Sequence, residues 1–333
     1  MKAAFNLLLI LVTSLLCLVA AEALTRAVLD DGMLYELEMW KYAREVKVRD
    51  ERPDLGHRHR PAAQAQLMGV DVRTNAQGLR GPEIATAAAP GVARIAFVGD
   101  STTLGWGVAE KDTFAQQVIA DLVRQGRKVD GFNLGVGNYN TTQELTLFKE
   151  VGVPLKPDLV VLTYFINDAE PMPAYGDTGW LTRHSAAWVV LGYRFDSVAR
   201  QFGEAPDWKR YYRDLYAPDA AGWRQTQKAL AEFATATRDI GAKLVVFHLP
   251  ELRELRPYPF ADVTAKVRTA VEKDGVPFYD LLPTVENLPP ASLWVTVPDP
   301  HPNANAMKAF TAGMVPRLLP LLDELCRTTG RGC

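Results

Sequence analysis

The residues with chemical potential stand where apolar runs give out. Ser101 follows the run Ile95–Val98, in Gly99-Asp100-Ser101-Thr102. Gly137 and Asn138 follow VDGFNLG, Asn167 follows PDLVVLTYF, and Asp299 and His301 stand in DPHPN just before the last helical stretch. A serine hydroxyl is a weak nucleophile and needs a general base within hydrogen-bond reach. Histidine is the usual base and a carboxylate usually orients it. Of the five histidines, His301 is the best candidate, with Asp299 two residues upstream in a proline-stiffened loop. A tetrahedral intermediate also needs donors at its oxyanion. The backbone N–H of Ser101, a second from Gly137 or Asn138, and the side-chain amide of Asn167 could supply them. Alone, Asn167 would read as a turn residue; beside two other polar strand ends it reads as functional. Asp100 and Asp168 read as local hydrogen-bond anchors, outside the triad.

The remaining candidates are weaker. His248 closes an apolar strand and reads as a core or pocket-wall residue. His57 and His59 alternate with Arg58 and Arg60, which suggests a solvated strand face more than a metal site. His184 has no assignable role. Gly105 and Gly107 permit tight backbone but match neither a dinucleotide fingerprint nor a phosphate loop. No CxxC or HExxH spacing occurs, so neither a metal nor an organic cofactor is expected. A formal net charge of −2 makes nucleic acid an unexpected partner.

The elements that must position these residues follow from periodicity. Ile95–Val98, VDGFNLG, Pro157–Phe165, AKLVVFHLP and VPFYD read as strands. Between them lie amphipathic stretches: one capped by Asp112 and ending at Gly126, one opening on Thr142, then AGWRQTQKALAEFATATRDIG, VTAKVRTAVEKDG and a closing helix from NANAM. Buried strands alternating with helices imply a parallel sheet covered on both faces, with its site at the carboxyl ends of the strands. The pattern lapses at about 171–218, an aromatic-rich stretch that reads as an inserted cap. Ala3–Ala21 carries no charge, which suits a membrane-spanning helix. Lys2 before it and acidic residues after it favour the body outside. Ala21-Glu22-Ala23 leaves a cleaved signal peptide open. The expected organisation is an anchor or signal at 1–24, a juxtamembrane helix and strand-rich linker at 25–90, and the main domain at 91–327. Cys17 does not read as a lipidation site. Cys326 and Cys333 are either bridged or free.

Taken together, GDST at 99–102, NLGVGNYNT at 133–141, INDAEP at 166–171 and DPHPN at 299–303 resemble the four blocks of the SGNH, or GDSL-like, hydrolase superfamily. The likeness is collinear from about Arg94 to Leu322. It implies a flavodoxin-like α/β/α sandwich, a Ser101–His301–Asp299 triad, and an oxyanion hole from Ser101, Gly137 or Asn138, and Asn167. Asn138 stands where the family usually has glycine, Phe165 where the third block usually has glycine, and Asp-x-His replaces the commoner Asp-x-x-His. The last spacing occurs in exported acetyltransferases of the superfamily. The layout resembles bacterial membrane-tethered members, which implies an inner-membrane protein with its catalytic domain in the periplasm, or a secreted one after cleavage near Ala23. The expected activity is a serine esterase on short acyl esters of envelope carbohydrate or lipid. An O-acyltransferase and a catalytically inactive binding protein are the alternatives.

Overall fold

In the computed structural model, residues 2–172, 179–202, 207–297 and 299–333 are described. The chain opens with helix α1 (Lys2–Leu24), whose apolar side chains stand free of the protein. After a turn comes α2 (Tyr35–Lys41), then two antiparallel hairpins: β1 (Lys47–Arg49) with β2 (His57–His59), and β3 (Gln64–Leu67) with β4 (Val70–Arg73).

The sheet follows. β5 (Ala93–Val98) leads into the single-turn α3 (Ser101–Leu104) and then α4 (Phe114–Arg124). β6 (Val129–Asn133), α5 (Thr141–Leu147) and β7 (Leu159–Tyr164) complete the first half. The expected cap contains α6 (Trp180–His184), α7 (Ala186–Phe202) and α8 (Trp208–Leu215); its residues 173–178 and 203–206 lie outside the described residues. α9 (Ala221–Asp239), β8 (Lys243–His248), α10 (Ala261–Glu272), β9 (Phe278–Asp280), α11 (Leu282–Val285), the hairpin β10 (Trp294–Thr296) and β11 (Asp299–Pro302), and α12 (Ala304–Thr329) finish the chain.

The five-stranded parallel sheet runs β6-β5-β7-β8-β9. Numbered from β5 this is the 2-1-3-4-5 order of flavodoxin-like folds, whose switch point lies beside the first strand. Successive side chains of β5 and β7 enter opposite cores. Ala96, Val98, Val160 and Leu162 face α5, α9 and α10; Ile95, Phe97, Leu159 and Val161 face α4 and α12. That two-sided burial is why these strands read as continuous apolar runs.

Local starts differ from the sequence reading by one or two residues. Thr113, not Asp112, caps α4, because its hydroxyl accepts the Gln116 N–H. Asn140, two residues before Thr142, caps α5, in a reciprocal pair with Gln143. Cys326 and Cys333 are bridged, with Cα atoms 5.1 Å apart, while Cys17 is free and exposed.

Residues 35–80 do not trail as a tether. Tyr42, Val46, Leu67 and Val72 pack with Leu104 and Trp106 in a small core of their own. The backbone of Arg80 bridges Asn133 at the edge of β6. Its guanidinium, 2% exposed, donates to the carbonyls of Leu104, Gly105 and Val108 at 2.8, 2.6 and 2.6 Å. It thereby clamps the turn that leaves α3. Arg80→Ala strips three buried carbonyls of a charged donor and is expected to cost about 3 kcal/mol or more. Arg73→Ala, at an exposed pair with Asp71, should change stability by less than about 1 kcal/mol. Denaturant unfolding of the detergent-solubilised protein compares the two, and equal midpoints would refute the clamp.

Candidate active site

The polar strand ends converge. Gly99 lets the chain turn sharply out of β5: a Cβ there would lie 2.1 Å from Thr103 Oγ1 and 2.4 Å from Thr163 Oγ1. Asp100 caps α3 by accepting the Thr102 N–H at 2.8 Å. Ser101 is thus the first residue of a helical turn, where an N–H has no partner within its own helix. Its hydroxyl lies 2.9 Å from His301 Nε2 and 3.4 Å from Asp100 Oδ2.

His301 is carried by β11 at the mouth of α12. Its Nδ1 lies 2.5 Å from Asp299 Oδ1, and its backbone N–H donates to the same oxygen at 3.1 Å. The Nδ1–H tautomer follows, leaving Nε2 to accept from the serine. Asp299 is 1% exposed, and its other oxygen accepts the Trp106 indole N–H at 2.8 Å. Burial pushes the Asp299 carboxyl up, but the hydrogen bond and charge of His301, its backbone N–H and Trp106 outweigh it and hold the group below the ordinary carboxylate range. The Tyr35 ring stacks beside His301 with centroids 6.2 Å apart.

Ser101, Asn138, Asn167 and His301 line one cavity of about 220 Å³, together with Tyr35, Phe165, Tyr212 and the Glu251–Arg253 pair. Asn138 holds a left-handed φ of 67° at its rim. The Gly137 N–H, by contrast, is donated to the Tyr42 hydroxyl at 2.9 Å. Of the two residues left open by the sequence, Asn138 is therefore the one with an N–H to offer. The Asn167 side chain hydrogen-bonds Asp100, and its Oδ1 has no partner among the described residues.

Asp100 and Asp168 act as the local anchors expected. Asp168 Oδ2 accepts the Phe165 N–H at 2.8 Å, closing the turn that carries Asn167. Both are fully buried, and burial raises both carboxyls. Thr102 N–H opposes that rise at Asp100, whereas Glu144 and Asp100 add to it at Asp168. His248 is a buried core residue stacked on Tyr164. His184 stacks on Trp180, away from the cavity.

The reading of His57 and His59 as a solvated face is corrected. Both are buried, His57 against the Gly137 carbonyl and His59 against the Tyr42 hydroxyl. Among the described residues no cluster could hold a metal ion. Tyr35, Tyr42, Lys47 and Trp106 were not found from the sequence. Only Trp106, lying in the same turn as Ser101, gave a local hint. Within the 171–218 segment, Tyr212 lines the cavity, Tyr216 is buried in the main core, and Trp180 and Trp188 are exposed.

No curated protein matches the chain. Among solved structures, TesA is 17% identical, with 68% of this chain and 99% of that one covered and a TM-score of 0.46. A lipase/acylhydrolase from Enterococcus faecalis is 16% identical, covering 68% and 95%, with a TM-score of 0.43. Axe2, an acetylxylan esterase from Geobacillus stearothermophilus, is 14% identical, covering 67% and 93%, also at 0.43. The sequence profile of the GDSL-like lipase/acylhydrolase family matches residues 97–309, a span that contains every member of the hydrogen-bonded chain from Ser101 to Asp299. With well over half its length matched, the chain belongs to the GDSL-like lipase/acylhydrolase family, and it is a serine ester hydrolase by that membership.

Proposed function

We propose that the protein cleaves short acyl esters through an acyl-enzyme on Ser101. The observation that carries this reading is the unbroken relay Asp299–His301–Ser101, with spacings of 2.5 and 2.9 Å, opening on a cavity of about 220 Å³. Ser101 Oγ attacks the ester carbonyl while its proton passes to His301 Nε2. Asp299 stabilises the imidazolium that forms, and Trp106 holds the second carboxylate oxygen. The N–H groups of Ser101 and Asn138 and the Asn167 amide receive the oxyanion. The C–O bond to the alcohol breaks, and the alcohol leaves with the proton held on His301. Water then repeats the sequence and releases the acid. The cavity, walled by Phe165, Tyr35 and Tyr212, has room for a short acyl group. Ser101→Ala should lower turnover of p-nitrophenyl acetate by 10⁴-fold or more, on the order seen when a nucleophile is removed. Trp106→Phe keeps the ring but drops the donor, and should cost about tenfold in kcat. Full activity in the alanine variant would end the mechanism.

An O-acyltransferase reading is supported by the outer cavity wall. Tyr35, Tyr212 and the Glu251–Arg253 pair offer stacking and hydrogen-bonding surfaces suited to a sugar hydroxyl acceptor on envelope carbohydrate. Supplying an activated acetyl ester with oligosaccharide separates the two. Acetyl groups appearing on sugar faster than in water identify a transferase, and hydrolysis alone with every acceptor identifies an esterase.

The N-terminal helix is proposed to remain as an anchor, with the catalytic domain on the extracytoplasmic side of a bacterial inner membrane. Glu22, near the end of α1, accepts from Ser185 Oγ at 2.8 Å and from the N–H groups of Ala186 and Ala187 at 3.1 and 3.0 Å. It thus caps α7, and cleavage beside Ala23 would remove that cap. Trp180 and Trp188, exposed on α6 and α7, suit the aromatic belt of a bilayer surface. The Cys326–Cys333 bridge fits an oxidising compartment. Intact-mass measurement of membrane-extracted protein should find residues 1–24 present; a mature N-terminus near Leu24 would overturn the anchor.

A further inference from the structure

The Gly137–Asn138 peptide is held from three directions by the N-terminal segment. Its carbonyl accepts from Lys47 Nζ at 2.7 Å and from His57 Nε2 at 3.0 Å. Lys47 also donates to Asn138 Oδ1 at 2.8 Å. The N–H of the preceding peptide, that of Gly137, donates to the Tyr42 hydroxyl; His59 Nδ1–H donates to the Gly78 carbonyl, so Tyr42 donates its own proton to His59 Nε2 at 2.6 Å. Tyr42 sits so close that a Cβ on Gly137 would meet its ring at 2.7 Å. What remains of the peptide is the Asn138 N–H, which has no acceptor among the described residues and lies at the cavity rim.

Resting on the assignment of Ser101 as nucleophile, we propose that Lys47 is a positioning residue of the oxyanion hole, acting through the Gly137–Asn138 peptide. Two donors on one carbonyl withdraw electron density from the amide and make its N–H a stronger donor. The ammonium stands on the carbonyl side of this peptide, so its charge acts on the oxyanion through the amide whose N–H faces the cavity. Lys47 itself is buried, and a buried charge acts more strongly than one at a surface. Among the described residues no carboxylate pairs with Lys47, although the residue is only 9% exposed. Its surroundings are two neutral acceptors and the face of Tyr42, 4.5 Å from the ammonium. A buried cation without a counter-ion is costly in the resting protein, and the oxyanion is the counter-charge that would match it. Asn138 adopts the left-handed conformation while giving Lys47 a second acceptor.

The titratable groups facing Lys47 are Tyr42, His57 and His59, with Arg80 behind them. Burial, reinforced by the Lys47 charge, holds both histidines down to about 3, so they stay neutral. Burial pushes the Tyr42 hydroxyl up, and lowers Arg80 only to about 10. Burial brings Lys47 itself down to about 7. Lys47 is therefore the member of the cluster that changes charge in the neutral range. It loses its proton as pH rises, which puts an alkaline limb on kcat/KM.

The test uses full-length protein in detergent, with p-nitrophenyl acetate as substrate and a fluorophosphonate as probe of Ser101. Lys47→Met is expected to lower kcat by about 10–100-fold, less than loss of a direct donor, with KM unchanged within about twofold. Phosphonylation of Ser101 should slow by a similar factor, the alkaline limb should vanish, and the Tm should hold or rise because an unpaired buried charge has gone. A purely structural lysine would instead lower Tm and leave the pH profile alone. Lys47→Arg retains the charge, so it should keep most of kcat and move the alkaline limb upward; it decides the matter where Lys47→Met does not fold. Lys47→Met with wild-type kcat and alkaline limb, or Lys47→Arg with an unmoved limb, overturns the proposal while leaving Ser101 as nucleophile. Wild-type protein that neither turns over ester nor takes the probe removes the Ser101 assignment, and this proposal with it.

Discussion

Three parallel strands have to end within a few ångströms of one another for this site to exist, and the constraint is met at Gly99. The backbone there runs against Thr103 and Thr163, whose hydroxyls hydrogen-bond each other across the gap between α3 and β7. Thr163 also donates to the Val98 carbonyl, tying the end of β7 to the end of β5. Any side chain at residue 99 would force those ends apart. Ser101 would then lose its place beside His301, which arrives from 200 residues away in sequence. The fold contributes the switch point between β5 and β7, and the missing Cβ lets the nucleophile stand in it.

A second layer of dependence comes from the N-terminal segment. Arg80 fixes the turn that carries Trp106, Trp106 fixes one oxygen of Asp299, and Asp299 fixes His301. Tyr42, Lys47 and His57 fix the peptide on the opposite wall. Several of these contacts bury a charge among neutral partners, which is an expensive way to gain stability. Apolar residues would pack the same space at lower cost. The placement makes sense where charge must be stabilised in a reaction and held still beforehand. The family profile begins at residue 97, so Tyr42, Lys47, His57 and Arg80 come from outside the matched region.

Legibility followed the range of the interactions. The sheet and its helices were readable because burial on both faces leaves unbroken apolar runs in β5, β7 and β8, and burial on one face leaves a helical period in α4 and α9. Ser101, Asn167, Asp299 and His301 were readable because each ends such a run or sits beside a partner two residues away. Helix starts shifted because Thr113 and Asn140 compete with equally plausible neighbours, and only backbone geometry decides between Asp112 and Thr113. His57 and His59 misled because alternation with arginine describes a strand correctly but not which face is covered. Their partners, Gly137 and Tyr42, lie on other elements. Lys47 gave no signal, since a lone lysine in a charged stretch looks solvated until the loop it supports is folded over it.

The position of Tyr35 links these two layers to the apolar helix α1. Only ten residues separate it from Leu24, the last residue of α1, so even a fully extended connection spans no more than about 40 Å. The described path is shorter, because α2 packs through Leu37 and Trp40 onto α7, and α7 is capped by Glu22 of α1 itself. Tyr35 on that same α2 forms a wall of the cavity beside His301. Under the proposed anchoring of α1 in a bilayer, this path keeps the cavity close to the end of α1. The short connection and the packing of α2 on α7 act together here: the first limits how far the cavity lies from α1, and the second sets how it faces.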